Sequence, residues 1–128
     1  MAFLDWFSST TRPDSWRTLE TAADVEQAIQ QAQKQPVAFF KHSTRCGTSH
    51  QLMDQLVKDT QNSPGGIAFY YLDLIVHRSL SNQIAEILNV AHQSPQLILF
   101  YKDEVVAHAS HHAIDWAKMT ANLPAISS

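Results

Sequence analysis

PVAFFKHSTRCGTSHQL, residues 36–52, is the stretch on which the reading of this chain turns. Residues 37–41, VAFFK, are a short and nearly continuous apolar run, the pattern of a strand covered on both faces, as in a parallel sheet. A polar loop follows at His42-Ser43-Thr44-Arg45. From Cys46 onward Leu52, Met53, Leu56 and Val57 make one apolar helical stripe within residues 46–61. Strand, loop and helix succeed one another, and the single cysteine of the chain stands at the loop-to-helix junction.

The flanking sequence alternates in the same way. Upstream, SWRTLE from Ser15 reads as a short strand. TAADVEQAIQQAQKQ then offers Thr21 as an N-cap, an acidic first turn, and Ala22, Val25, Ile29 and Ala32 at helical spacing, with Pro36 as the stop. Downstream, Asn62-Ser63-Pro64-Gly65-Gly66 punctuates the chain, and IAFYYLDLI, residues 67–75, reads as a second buried strand. SNQIAEILNV places Ile84, Ile87 and Leu88 on a helix. LILFYKDEVVAHA, residues 97–109, reads as a hairpin turning at Lys102-Asp103. The last helix is expected over about 113–123, with Ile114, Ala117 and Ala121 on one side and Trp116 beside them. The resulting order, βαβαβαββα, predicts a three-layer α/β/α sandwich whose mixed sheet ends in an antiparallel hairpin.

At 128 residues the chain has the length of one domain with a hydrophobic core. Residues 1–15 carry Arg12-Pro13-Asp14-Ser15 and no sustained periodicity. They read as an N-terminal extension whose Phe3, Leu4, Trp6 and Phe7 dock on a domain spanning 16–128. Nine Lys and Arg against twelve Asp and Glu give a net charge of -3 without a basic block, so nucleic acid is set aside as a partner. Membrane is set aside too, because no apolar stretch approaches the roughly 20 residues that cross a bilayer. The start of the chain lacks the basic region of a secretion signal, and a single cysteine cannot close an internal disulfide; a reducing cytoplasmic setting is expected.

Cys46 has three readings from composition alone: apolar filler, metal ligand or reactive thiol. Its position favours the third. At a helix N-terminus free backbone N–H groups and the macrodipole stabilise an anion. Cysteines in such places have pKa values lowered from about 8.5 into a range of roughly 3.5–7.5, and the adjacent Arg45 adds positive charge. Ser49 stands three residues on, where a dithiol redox protein has its second cysteine. Ser49 can donate a hydrogen bond to a thiolate but cannot resolve a mixed disulfide, so any disulfide formed by Cys46 needs an external thiol to open it. A loop of His42, Ser43, Thr44 and Arg45 is also a poor wall for a buried apolar cysteine.

About fifty residues after Cys46, Ser94-Pro95 directly precedes the strand LILFY, a place where a cis X-Pro bond would expose the preceding backbone to a passing chain. With Cys-x-x-Ser at a helix start, Ser-Pro before a hairpin and a closing helix, the chain from about residue 16 to its end resembles a thioredoxin-like fold. Lys41-His42-Ser43-Thr44-Arg45-Cys46 with Ser49, Ser94-Pro95-Gln96 and Ala109-Ser110-His111 look, more narrowly, like the bacillithiol-system monothiol thioredoxin-like family of YtxJ type. The resemblance implies a monothiol bacilliredoxin role, removal of bacillithiol from proteins that carry it as a mixed disulfide. Cys46 would be the nucleophile, Arg45, Thr44 and Ser49 would support its thiolate, and Ser94 with Pro95 would form the wall for the substrate backbone. S-thiolated proteins and a low-molecular-weight thiol would be the partners, the latter as co-substrate, with no cofactor. Gly47 departs from the pattern, since the family usually has Pro there, a residue pre-organised for a first helical position.

A non-catalytic binding module using the Ser94-Pro95 groove, or a sensor thiol that is merely capped on oxidation, are the competing readings of the same residues. Seven histidines, three of them in AHASHHAI at His108, His111 and His112, raise the question of a metal. Adjacent residues point apart, and neither a cysteine nor a carboxylate recurs there at a ligand spacing, so no metal is expected.

Overall fold

A computed structural model of the chain describes residue 13 and residues 15–61, 66–121 and 123. The expected N-terminal extension falls outside these residues except for Pro13 and Ser15, and so do Asn62 to Gly65 of the expected turn. The elements run β1 (Arg17–Thr18), α1 (Ala22–Gln31), β2 (Val37–His42), α2 (Gly47–Gln61), β3 (Ala68–Asp73), α3 (Arg78–Leu88), β4 (Gln96–Tyr101), β5 (Glu104–Ser110), a one-turn 3-10 helix (His111–Ala113) and α4 (Trp116–Thr120).

VAFFKH forms the central strand because both of its faces are covered. β2 pairs in parallel with β3, Val37 opposite Ala68 through His42 opposite Asp73, and antiparallel with β4, Val37 opposite Phe100 through Lys41 opposite Gln96. β1 adds to β3 in parallel and β5 to β4 antiparallel, so the sheet order is β1-β3-β2-β4-β5. Alternation along β2 feeds two cores. Val37 and Phe39 pack with Val25 and Ala28 of α1 and Leu80, Ile84 and Leu88 of α3. Ala38 and Phe40 point the other way, to Met53 and Leu56 of α2, Trp116 and Met119 of α4, and Trp16. Trp16 stacks on Phe69 with ring centroids 4.5 Å apart, and Phe69 meets Trp116 at 5.2 Å. The three-layer α/β/α arrangement and the element order expected from sequence are those observed.

Local chemistry accounts for the element ends. Thr21 and Asp24 make a reciprocal capping box on α1. Asn89, at φ 56°, closes α3 in the left-handed conformation. Lys102 and Asp103 have φ of 48° and 66°, the two-residue hairpin turn whose twist suits its strands.

Three expectations are corrected. β3 ends at Asp73 instead of running to Ile75, because the Asp73 carboxylate accepts the Ile75 N–H at 3.0 Å and turns the chain, leaving Val76 67% exposed. α3 starts at Arg78, three residues early. Its buried face is centred on Leu80, Ile84 and Leu88 at a spacing of four, which rotates Ile87 out to solvent. The closing helix runs from Trp116 to Thr120, and its start is set by Asp115, which caps it by accepting the Lys118 N–H at 3.1 Å. From that start Trp116 and Met119 face the core, Ala117 and Ala121 face outward, and Ile114 packs from the preceding segment.

Candidate functional site

Three connections meet at one end of the sheet. The C-terminal end of β2 abuts the start of β4, where Lys41 pairs with Gln96, and Gln96 in turn pairs with Ser110 at the end of β5. On the other side the Leu74 N–H donates to the His42 carbonyl at 2.9 Å. The Ser94-Pro95 bond is cis, and the Pro95 carbonyl accepts the His111 N–H at 3.0 Å. The 3-10 turn that follows packs against α2. The thiol-bearing loop, the Pro95 loop and the β5-to-α4 turn are thereby neighbours, although the sequence sets them far apart.

Cys46 is half-buried and is a free thiol. Its N–H donates to the Ser43 carbonyl at 3.1 Å, and its own carbonyl accepts the His50 N–H at 3.1 Å, the first bond of α2. The sulfur therefore stands at the head of a 15-residue helix with no acidic side chain in its first turn, an end at which the helix dipole favours an anion.

The loop ahead of Cys46 is held from behind by Ser49 together with two side chains outside the expected site, His42 and His50. Ser49 is 0% exposed, and its Oγ accepts the Ser43 N–H at 3.1 Å and lies 2.6 Å from Nδ1 of His42. The expectation that Ser49 serves the sulfur thus meets a different geometry, in which its hydroxyl joins the strand end to the helix. His42 belongs to β2, one residue beyond the strand expected from VAFFK, so its ring is directed into the core with Phe40, stacked at 5.7 Å. Burial pushes its pKa down to about 4, with the charge of nearby His50 adding to the effect and that of Asp73 opposing it. His42 is consequently a neutral ring at physiological pH. His50 crosses it edge-on at 4.8 Å and donates from Nε2 to the Thr44 carbonyl at 2.9 Å, a second tie between loop and helix.

Thr44 and Arg45 are exposed, and Thr44 joins the network through its carbonyl. Ser94 is half-buried, and its hydroxyl oxygen is turned inward without a hydrogen-bond partner among the described residues. Gly47 is the first residue of α2, with φ outside the left-handed region, and a Cβ there would meet nothing within 4 Å. Among the described residues no three His, Cys, Asp or Glu side chains converge as a metal site, His108, His111 and His112 included. A polar cluster that the sequence reading did not single out, Lys41, Ser81, His92 and Gln96, lies under the Pro95 loop. The signal for it was present in VAFFKH, where a lysine interrupts a strand otherwise read as covered on both faces.

A lone thiol at the mouth of such a sheet, with a proline loop beside it, is the arrangement of a redox protein of thioredoxin fold. Solved structures bear out the fold. A protein described as a candidate oxidoreductase with a thioredoxin fold superposes with a TM-score of 0.71 at 29% identity, over 84% of this chain and 93% of that one. Thioredoxin O2 from Arabidopsis thaliana in its oxidised state gives 0.64 at 22% identity over 88% and 94%. A mutant thioredoxin from Halobacterium salinarum NRC-1 gives 0.64 at 16% over 92% and 99%. Residues 17–119 match the family described as monothiol bacilliredoxin BrxC, and the chain belongs to that family.

Proposed function

We propose that the protein exchanges disulfides through Cys46 alone, taking bacillithiol from proteins that carry it as a mixed disulfide. The observation that carries this reading is a half-exposed thiol at the head of α2 in a chain with no second cysteine. The Cys46 thiolate attacks the bacillithiol sulfur along the S–S axis. A new disulfide forms between bacillithiol and Cys46, and the substrate protein leaves as a thiolate that takes a proton from water. A second low-molecular-weight thiolate then attacks the bacillithiol sulfur of the Cys46 mixed disulfide and departs in a disulfide with the bacillithiol, and Cys46 leaves as the reduced thiolate.

The residues around the thiol divide this work. Amide groups heading α2 and the cation of Arg45 favour the thiolate as attacking and as leaving group. Ser49, His42 and His50 hold the loop in one conformation. Ser94 and Pro95 offer backbone to an extended segment of the substrate, and the exposed Ile75 and Val76 give that segment apolar contact at the same end of the sheet. The thiol acts as co-substrate, and no resident cofactor enters. A cycle that depends on external reduction belongs in the reducing cytoplasm.

The test is transfer of the cap. A single-cysteine protein bearing bacillithiol is mixed with this protein, and intact mass is followed on both chains. The mass of bacillithiol should move to Cys46 and be released by free bacillithiol, and Cys46→Ser should abolish transfer while leaving the fold intact. Transfer from a glutathione-capped protein but not from the bacillithiol-capped one would change the thiol. No transfer from either would remove the enzymatic reading in favour of a binding module.

A further inference from the structure

Lys41 is fully buried in the central strand, five residues before the reactive cysteine, where an apolar side chain would pack without penalty. Its Nζ donates to the Ser81 carbonyl of α3 at 3.2 Å and lies 3.5 Å from Nδ1 of His92. Ser81 Oγ lies 2.9 Å from the same nitrogen. An ammonium group has donors only, so Nδ1 is the acceptor facing it and the ring proton resides on Nε2. Burial, then the charges of Lys41 and Arg78, push the His92 pKa down, in keeping with a neutral ring in that role. Gln96, paired with Lys41 across the sheet and also buried, donates from Nε2 to the Ala91 carbonyl at 3.0 Å. Residues 91 and 92 are thus tied from both directions to the strand pair beneath them.

We propose that Lys41 is a positioning residue which, through His92 and Ser81, fixes the loop of residues 89–95, and with it the Ser94-Pro95 backbone, against the strand that delivers Cys46. This rests on the exchange reaction proposed above. A substrate segment lying between the loop and the thiol needs both at a set separation, and a displacement near 1 Å is enough to cost up to about a hundredfold in rate. The thiol itself, held by α2 and the His42–Ser49 pair on the opposite face of the sheet, does not depend on Lys41.

The experiment compares wild type with Lys41→Met, His92→Leu and His92→Gln. The substrate is a single-cysteine protein capped with bacillithiol, the control reagent is iodoacetamide, and amide hydrogen exchange is measured over residues 89–95. Lys41→Met and His92→Leu should lower kcat/KM for the capped protein about tenfold, chiefly through KM. Their alkylation rates should stay within about twofold of wild type, and the loop amides should exchange faster. His92→Gln keeps an acceptor and should retain most of the activity. Wild-type kinetics in both Lys41→Met and His92→Leu would overturn the positioning role, as would equal losses toward iodoacetamide and the capped protein. The exchange reading fails separately, in the wild type itself, if no cap is transferred, and the positioning role falls with it.

Discussion

At Ser49 the partner expected for the hydroxyl group, the sulfur one helical turn away, differs from the one observed, the imidazole of His42. Helical spacing made the first partner legible. The second required knowing that β2 runs one residue further than its apolar run, which turns His42 inward at a distance of 2.6 Å from Ser49 Oγ. Because the pair is buried, Ser49→Ala strands both the Ser43 N–H and His42 Nδ1. It should cost about 1–3 kcal/mol in urea unfolding, where an exposed serine would cost a few tenths. A loss below about 0.5 kcal/mol would show the clamp to be dispensable. His42 adds a pH signature. Its folded pKa of about 4 is below the ordinary 6.5, so between those values the unfolded chain binds the proton and the folded chain does not. Stability from this group is therefore intact above pH 6.5 and falls as pH drops toward 4, by up to about 3 kcal/mol. Relative to His42→Phe, wild type should lose ground across that window, and parallel pH profiles for the two would refute the assignment.

Elements are legible where period and punctuation agree, and they blur where packing decides. α1 carried its cap and stripe in the sequence, and β2 its apolar run. The closing helix did not, because a stripe of Ile114, Ala117 and Ala121 competes with Trp116 and Met119, and the larger pair takes the helix's core face once Asp115 fixes the start. β3 was overrun for a similar reason: Leu74, Ile75 and Val76 have strand propensity, but one Asp73 hydrogen bond outweighs it. The position that parts from the family pattern, Gly47, makes a prediction for α2. It opens the helix without a left-handed φ and with open space where a Cβ would go. Gly47→Ala should therefore raise stability, by about 0.5–1 kcal/mol, by narrowing the unfolded ensemble. Chemical denaturation settles the sign, and a destabilised variant would mean that the loop needs glycine for a reason other than its backbone.

On the scale of the molecule, β2 separates two apolar cores and ends in polarity on both faces, His42 toward α2 and Lys41 toward α3. Neither residue is what core packing would select, and both stand within five positions of the thiol. The stability of the whole fold is thereby linked to protonation at its reactive end. For Lys41 burial lowers the pKa from 10.5 to about 8, so between pH 8 and 10.5 the unfolded chain holds a proton that the folded chain has released. Unfolded binding exceeding native binding means that stability rises with pH, here by up to about 3 kcal/mol. Lys41→Met lacks the group, and every other lysine and tyrosine is common to both proteins. At about pH 7 the variant should be at least as stable as wild type, since a methionine of similar length replaces a buried ammonium. Urea titrations at about pH 7 and pH 10.5 should find its advantage shrinking by the linkage energy at the higher pH. An advantage that stays constant across that interval would mean that Lys41 titrates in the folded protein as it does in water, and that the buried end of β2 is wetter than its packing allows.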